Sequence, residues 1–429
     1  MDEVSPQNSL EKALAKRLEE RLANSKFRKL TVAAPGSVDF SSNDFLSLST
    51  SSTLRSAFVD ELSRHPNFPL GSGGSRLLDG NSQYALDLEN EIVSFHGASA
   101  GLLWNSGFDA NSGFFACVPQ PGDIILYDEL IHASVHDGMK LSRAGRKIAF
   151  KHNSVDHLRK TVQALKEEDV YVGKGPKNVF VAVESVYSMD GDLCPLKELV
   201  ECIEEALPYG NGHIVVDEAH ATGVIGPLGR GLVSQLGLEK KVFARLHTFG
   251  KGLGTSGAIL LCSPIVRSYL INYARPLIFT TSMPFINLAA IKASYSLLQS
   301  GVTEPLVSHL QMLTSHLHTQ LLRMLIRYTR PYESINDTLH VSPLRPQSPI
   351  FALLTKHPRS LAAHCQNAGF VVRAVVPPTV PTRRVRVCLH AGNTVDEVDR
   401  LVRSIESWVR DRIGVASSPA VEELEKARL

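Results

Sequence analysis

The sequence has no CxxC pair: its six cysteines, Cys117, Cys194, Cys202, Cys262, Cys365 and Cys388, are scattered along the chain. That scatter excludes zinc-ligand spacings and predicts no metal site, with free thiols in a reducing compartment. Charge imbalance is almost absent, with 45 Lys and Arg against 43 Asp and Glu, so no field favours nucleic acid or an anionic membrane surface. No apolar run approaches the ~20 residues of a bilayer span, and no membrane partner is expected. The acidic start, Met1-Asp2-Glu3-Val4-Ser5, lacks the apolar core of a signal peptide and the Arg/Ser-rich character of a mitochondrial presequence. Internal repeats and low-complexity tracts are missing too. What is present is an ordinary globular composition of 429 residues, 43% hydrophobic, enough to bury a large core.

Leucines and alanines at helical spacing (Leu10, Ala13, Leu14, Leu18, Leu22) predict an amphipathic helix over 9–24. With the arm that follows, it is read as an N-terminal segment, residues 1–50. From about residue 98, short β-like runs alternate with helical spans, the pattern of a mainly parallel sheet sandwiched by helices. The runs are 101–104, 123–127, 179–183, 213–216, 245–248 and 258–261, each apolar enough to be buried on both faces. This defines a large α/β domain, 51–290. Helices at 288–298 and 305–327, a Pro-rich stretch at 330–349 and strands at 350–354, 370–375 and 384–389 suggest a smaller C-terminal α+β domain, 291–415. A charged tail, 416–429, completes the chain.

Polar clusters follow directly after these runs: Asn105 to Phe108, Asp128 to His132, Glu184 to Ser188, Asp217 to His220, and Lys251. Ligands of open α/β sheets bind outside the carboxyl ends of the strands, so the five clusters are expected to converge on one crevice. Lys251 stands among Gly250, Gly252 and Gly254, where missing Cβ atoms allow close approach to the backbone. A lysine of pKa about 10.4 is deprotonated only roughly once in a thousand near neutral pH. A carbonyl cofactor held as a Schiff base is the usual remedy. Asp217 at a strand end suggests the partner of a pyridine nitrogen, which would keep the ring an electron sink, the chemistry of pyridoxal 5'-phosphate (PLP).

In order and spacing, Ser41-Ser42-Asn43-Asp44-Phe45-Leu46, Gly71-Ser72-Gly73-Gly74-Ser75, Asn105-Ser106-Gly107-Phe108-Asp109-Ala110-Asn111, Ser188-Met189-Asp190-Gly191-Asp192, Asp217-Glu218-Ala219-His220-Ala221-Thr222-Gly223 and Thr248-Phe249-Gly250-Lys251-Gly252 resemble the α-oxoamine synthase family. The resemblance runs from about Arg28 to Trp408. It implies a fold-type I PLP-dependent acyltransferase, a homodimer with shared active sites, that condenses an amino acid with an acyl thioester and releases carbon dioxide. By the same resemblance Lys251 would hold the cofactor and move the α-proton. Asp217 would pair with the pyridine nitrogen, His220 would bond the phenolic oxygen and His132 would stack on the ring. Ser106, Gly107, Phe108 and Thr248 would hold the phosphate, joined by Thr281 of a partner subunit, with Ser188 near the ring. Arg386 would grip the amino acid's carboxylate, with Asn43, Thr379 and Arg28 near the substrates.

Gly71 to Arg76 and Val375-Val376-Pro377-Pro378-Thr379-Val380-Pro381 resemble most the members that join L-alanine to pimeloyl-CoA or another pimeloyl thioester on the route to biotin. The chain departs from the family pattern at Val376, where arginine is frequent, and at Asn393, where histidine is, positions bearing on acyl recognition. A synthase using another amino acid or acyl chain, as in secondary metabolism, is the alternative. A non-catalytic partner subunit would lack the lysine that Lys251 supplies. The last residues, Ala427-Arg428-Leu429, follow the small-basic-leucine logic of a peroxisomal address, so peroxisomal location and an import receptor as partner are expected, with the cytoplasm as alternative.

Overall fold

The computed structural model describes residues 8–24, 26–328 and 338–413. The expected C-terminal address therefore lies outside the described residues, as does the start of the Pro-rich stretch. The chain forms two compact units that divide between Ser37 and Val38.

In the first unit the expected helix spans Ser9–Ala23, started by the Asn8 side chain, which accepts from the Glu11 N–H. None of its residues is buried. Its leucine stripe is in place but open, with Leu10, Leu14, Leu18 and Leu22 all exposed.

The strands of the second unit are, in chain order, β1 (Val38–Asp39), β2 (Ala100–Trp104), β3 (Ile124–Asp128), β4 (Arg146–Phe150), β5 (Val179–Glu184), β6 (Gly212–Asp217), β7 (Ala244–Thr248), β8 (Ala258–Cys262), β9 (Ile350–Leu354), β10 (Phe370–Val371), β11 (Arg373–Val375) and β12 (Arg384–Cys388). Seven of them form one sheet in the order β2-β8-β7-β6-β5-β3-β4. Every residue of β5 is buried. Val179, Val181 and Val183 enter one apolar cluster with Leu126 and Val216, while Phe180 and Ala182 enter another with Ile125 and Val215. Helices thus cover both faces, and burying each such side chain contributes roughly 1.5–3 kcal/mol.

Only β8 in this sheet runs against its neighbours, pairing antiparallel with both β2 and β7. The Phe249–Gly257 connection is too short for the crossover helix that a parallel pair requires. Because the remaining six strands share one direction, the carboxyl ends of β2, β3, β5, β6 and β7 open on the same edge. That is the edge at which the five polar clusters were expected to meet.

A second, three-stranded antiparallel sheet has the order β11-β12-β9. Beside it, β1 pairs in parallel with β10. Residues 38–50, expected as part of the N-terminal arm, lie instead in the larger unit, because Phe40, Phe45, Leu46 and Leu48 are buried in its core. The Cys388 N–H donates to the Phe40 carbonyl at 2.9 Å and the Ala391 N–H to that of Phe45 at 2.7 Å. This lacing draws Asn43 alongside β12.

Candidate active site

The lysine loop is held from both sides by buried apolar anchors. Phe249 and Leu253 are fully buried with Ile291 and Tyr295, which leaves Lys251 between them to face the crevice. A Cβ on Gly252 would come within 2.6 Å of the Thr222 carbonyl oxygen, and one on Gly254, whose φ is +62°, within 2.5 Å of the Ser49 nitrogen. These glycines therefore seat the loop on its own protein's backbone. A Cβ on Gly250 meets nothing nearer than 3.5 Å. Gly252→Ala is expected to cost about 1–3 kcal/mol, because a backbone carbonyl cannot swing aside, while Gly250→Ala leaves the melting temperature nearly unchanged. Thermal unfolding of the two variants checks this contrast.

Lys251 Nζ lies 2.9 Å from His220 Nε2. Burial lowers the lysine's pKa, against the pull of Asp217 and Glu184. Burial also drives His220 well below the ordinary histidine range, helped by the charges of Lys251 and Arg386. His220 is thus a neutral imidazole, packed against Phe45 at a ring separation of 5.9 Å. Buried Glu184, at the end of β5, has its carboxyl pushed well up by burial and by Asp217.

Asp217 closes β6 and is tied in twice. Its Oδ1 accepts from the Ala219 N–H at 2.9 Å, and its Oδ2 accepts from Asn111 Nδ2 at 2.7 Å. The same amide nitrogen donates to Ser134 Oγ at 3.0 Å, which lies 2.8 Å from His132 Nδ1. His132 Nδ1 also accepts from the Ser134 N–H, so its own ring proton resides on Nε2. Asn111 and Ser134 therefore join Asp217 to His132 in one network. No role was expected of either, although Asn111 stands one helical turn after Gly107, on the same face.

The helix Gly107–Cys117 begins at the end of β2, where the Ser106 Oγ caps it by accepting from the Asp109 N–H. Its start leaves the N–H groups of Gly107 and Phe108 without helical partners, a cradle for an anion. A Cβ on Gly107 would fall 2.3 Å from Thr248 Oγ1, so that hydroxyl sits against the cradle. Phe108 meets His132 edge-on at 6.4 Å.

Arg386, on β12, is buried and donates from Nε to the Ser188 carbonyl at 2.6 Å and from a terminal nitrogen to Asn43 Oδ1 at 2.9 Å. Among the described residues no Asp or Glu forms an ion pair with it, whereas its neighbour Arg384 is paired with Asp190. Thr281 is exposed, bridged to Ser75, and its carbonyl accepts from Asn105. Thr379 is exposed, its N–H on the Val376 carbonyl. Arg28 belongs to the first unit and is exposed there. Asn393 is a turn residue, its Oδ1 accepting from the His390 N–H.

These groups fit PLP on chemical grounds: an acceptor carboxylate, a neutral imidazole beside an amine of lowered pKa, and a helix-start cradle for phosphate. His220 Nδ1 and Glu184 Oε1 are buried and have no hydrogen-bond partner among the described residues. Among the described residues no cluster could hold a metal ion, and no helix is long and apolar enough to cross a membrane.

The family model for aminotransferase class I and II matches residues 35–405. The chain belongs to this family. It is 54% identical over 94% of its length to an 8-amino-7-oxononanoate synthase of Emericella nidulans, covering 96% of that relative. An aminoacyl transferase sphA of Aspergillus fumigatus is 40% identical over 91% of the chain and 84% of the relative. The fold matches a serine palmitoyltransferase from S. paucimobilis with bound PLP-myriocin aldimine, at a TM-score of 0.79 and 23% identity over 96% of this chain and 100% of that one. The protein is a PLP-dependent enzyme of the α-oxoamine synthase class. Its fold is that of a fold-type I transferase, as expected.

Proposed function

We propose that the enzyme is an 8-amino-7-oxononanoate synthase, joining L-alanine to pimeloyl-CoA, or another pimeloyl thioester, and releasing CO2 and CoA in biotin biosynthesis. The observation that carries an amino-acid substrate is Arg386: a buried guanidinium with no ion-paired carboxylate among the described residues, close enough to Lys251 for its charge to depress that amine. It would receive the substrate carboxylate. The cofactor, when bound, supplies the electron sink for a carbanion at the α-carbon.

The chain's own groups do the rest. Arg386, steadied by Asn43 and the Ser188 carbonyl, fixes the orientation of the α-carbon and so selects the bond that breaks. Lys251 Nζ, held by burial in reach of its uncharged form, takes the α-proton. Asp217 would offer its carboxylate to the ring nitrogen, and Asn111 and Ser134 hold His132 to the same carboxylate. In a homodimer, Thr281 would complete the phosphate site of the partner subunit.

Arg386→Lys removes the bidentate fork and is expected to raise KM for the amino acid roughly 10- to 100-fold, from charge-assisted hydrogen bonds of about 1.5–3 kcal/mol. Steady-state kinetics with varied L-alanine checks it.

Another acyl or amino-acid substrate is favoured by the 40% identity to the sphA relative and by Val376 and Asn393, the latter occupied in a turn. Assaying pimeloyl-, acetyl-, succinyl- and palmitoyl-CoA, each with alanine, glycine and serine, separates the readings. Pimeloyl-dependent CoA release with alanine supports the first, and its absence removes it. For location, we propose that Ala427-Arg428-Leu429 directs peroxisomal import. A fluorescent fusion ending in free Leu429 should be punctate, and diffuse signal counts against the address.

A further inference from the structure

Outside the groups described so far, one side-chain cluster ties together two loops of the site. Asp128 ends β3 and is fully buried. Its Oδ1 accepts from the Leu130 N–H at 2.9 Å, which bends the chain toward His132, and its Oδ2 accepts from the Asn153 N–H at 2.8 Å. His152 Nδ1 lies 2.9 Å from the same carboxylate, and its Nε2 lies 2.8 Å from Asp192 Oδ2. Each ring nitrogen thus faces a carboxylate, and a carboxylate only accepts, so both nitrogens carry protons and the ring is an imidazolium.

Asp192 belongs to the loop that follows β5. The Tyr187 N–H donates to the Asp192 carbonyl at 3.0 Å and the Gly191 N–H to the Tyr187 carbonyl at 2.9 Å. The loop is therefore a closed turn whose members move together. From it the Ser188 carbonyl receives Arg386 Nε, while Met189 and Asp190 receive Arg384. Asn153, with a left-handed φ of 51°, adds a bond from Nδ2 to Asp192 Oδ2 at 2.7 Å, a conformation asparagine tolerates. The Tyr187 ring meets the His152 ring edge-on at 4.4 Å.

We propose that His152 is a positioning residue for amino-acid recognition: bridging Asp128 and Asp192, it locks the Ser188 loop to the His132 loop and so aims Arg386 at the substrate carboxylate. Burial works against a charge here, but the bonds to Asp128 and Asp192 outweigh it and hold the pKa at about 10. The bridge is therefore intact at neutral pH. It rests on the reading of Arg386 as the carboxylate binder.

The test uses the holoenzyme, comparing His152→Gln, Asp192→Asn and their double variant with Arg386→Lys. Asp192 is 38% exposed on its side chain, so its replacement probes the bridge without opening the core. Readouts are the dissociation constant of L-alanine, followed through the cofactor's absorbance change, and KM and kcat for each substrate. The expected result is a roughly tenfold rise in the L-alanine dissociation constant and KM for either single variant. kcat should stay within about twofold, KM for the acyl thioester should be unchanged, and the double variant should be no worse than a single one. Unchanged L-alanine binding in both single variants, with Arg386→Lys weakened, overturns the role of His152 alone. Unchanged binding in Arg386→Lys overturns the carboxylate reading and this proposal with it. Equal losses for both substrates with a lowered melting temperature also overturn it, since that is what a merely structural residue would give.

Discussion

Lys251→Ala protein, purified after cofactor addition, should be colourless where the parent is yellow, with turnover lower by on the order of 10³-fold or more. The expectation follows from the placement of one amine. Burial lowers the lysine's pKa, and His220 Nε2 lies 2.9 Å from its nitrogen. Phe249 and Leu253, both fully buried, fix the loop on either side. In the proposed mechanism, removing the amine removes the anchor for the cofactor and the proton carrier together, and among the described residues no other lysine is hydrogen-bonded to His220. Because the two anchors remain, the variant should fold, and its melting temperature should stay close to that of the cofactor-free parent. A yellow, active Lys251→Ala enzyme would displace the lysine from the chemistry.

Asp217→Asn should be nearly as damaging, for a different reason. Its two oxygens each accept a hydrogen bond, from the Ala219 N–H and from Asn111 Nδ2. An asparagine must turn its own NH2 toward one of those donors whichever way it flips. The unmade bond should cost about 1–3 kcal/mol of stability. In the proposed mechanism the lost carboxylate would have paired with the cofactor's ring nitrogen, and its loss should cost the reaction more, about 3–5 kcal/mol for breaking a buried ion pair, or roughly 10²- to 10⁴-fold in kcat. Turnover and thermal unfolding measured on the same protein separate the two effects. A variant with near-normal kcat and lowered stability would leave Asp217 a structural residue.

The crevice was legible in the sequence because interior parallel strands are continuous apolar runs and each ends where its polar cluster begins. The runs predicted at 101–104, 179–183 and 258–261 coincide with β2, β5 and β8. Edge strand β4 was not predicted. Its residues Arg146-Lys147-Ile148-Ala149-Phe150 are largely exposed, as sheet edges tend to be, and so carry no buried-strand signature. The reversed direction of β8 is invisible in its composition and shows only in the short connection before it. The glycines around Lys251 marked the right loop for an incomplete reason: Gly252 and Gly254 press on Thr222 and Ser49, and of the three only Gly250 has room for a Cβ at ordinary contact distance. Asn111 and His152 act through partners far away in sequence, as does Ser134 where it meets Asn111, and nothing in a single chain's local pattern pairs them.

The reaction itself is tested most directly with L-alanine labelled with ¹³C at its carboxyl carbon. Incubated with pimeloyl-CoA and the holoenzyme, the label should leave as CO2, equimolar with the CoA released, and the amino-ketone product should carry none of it. Label retained in the product, or no CoA released, would contradict decarboxylative condensation by this enzyme.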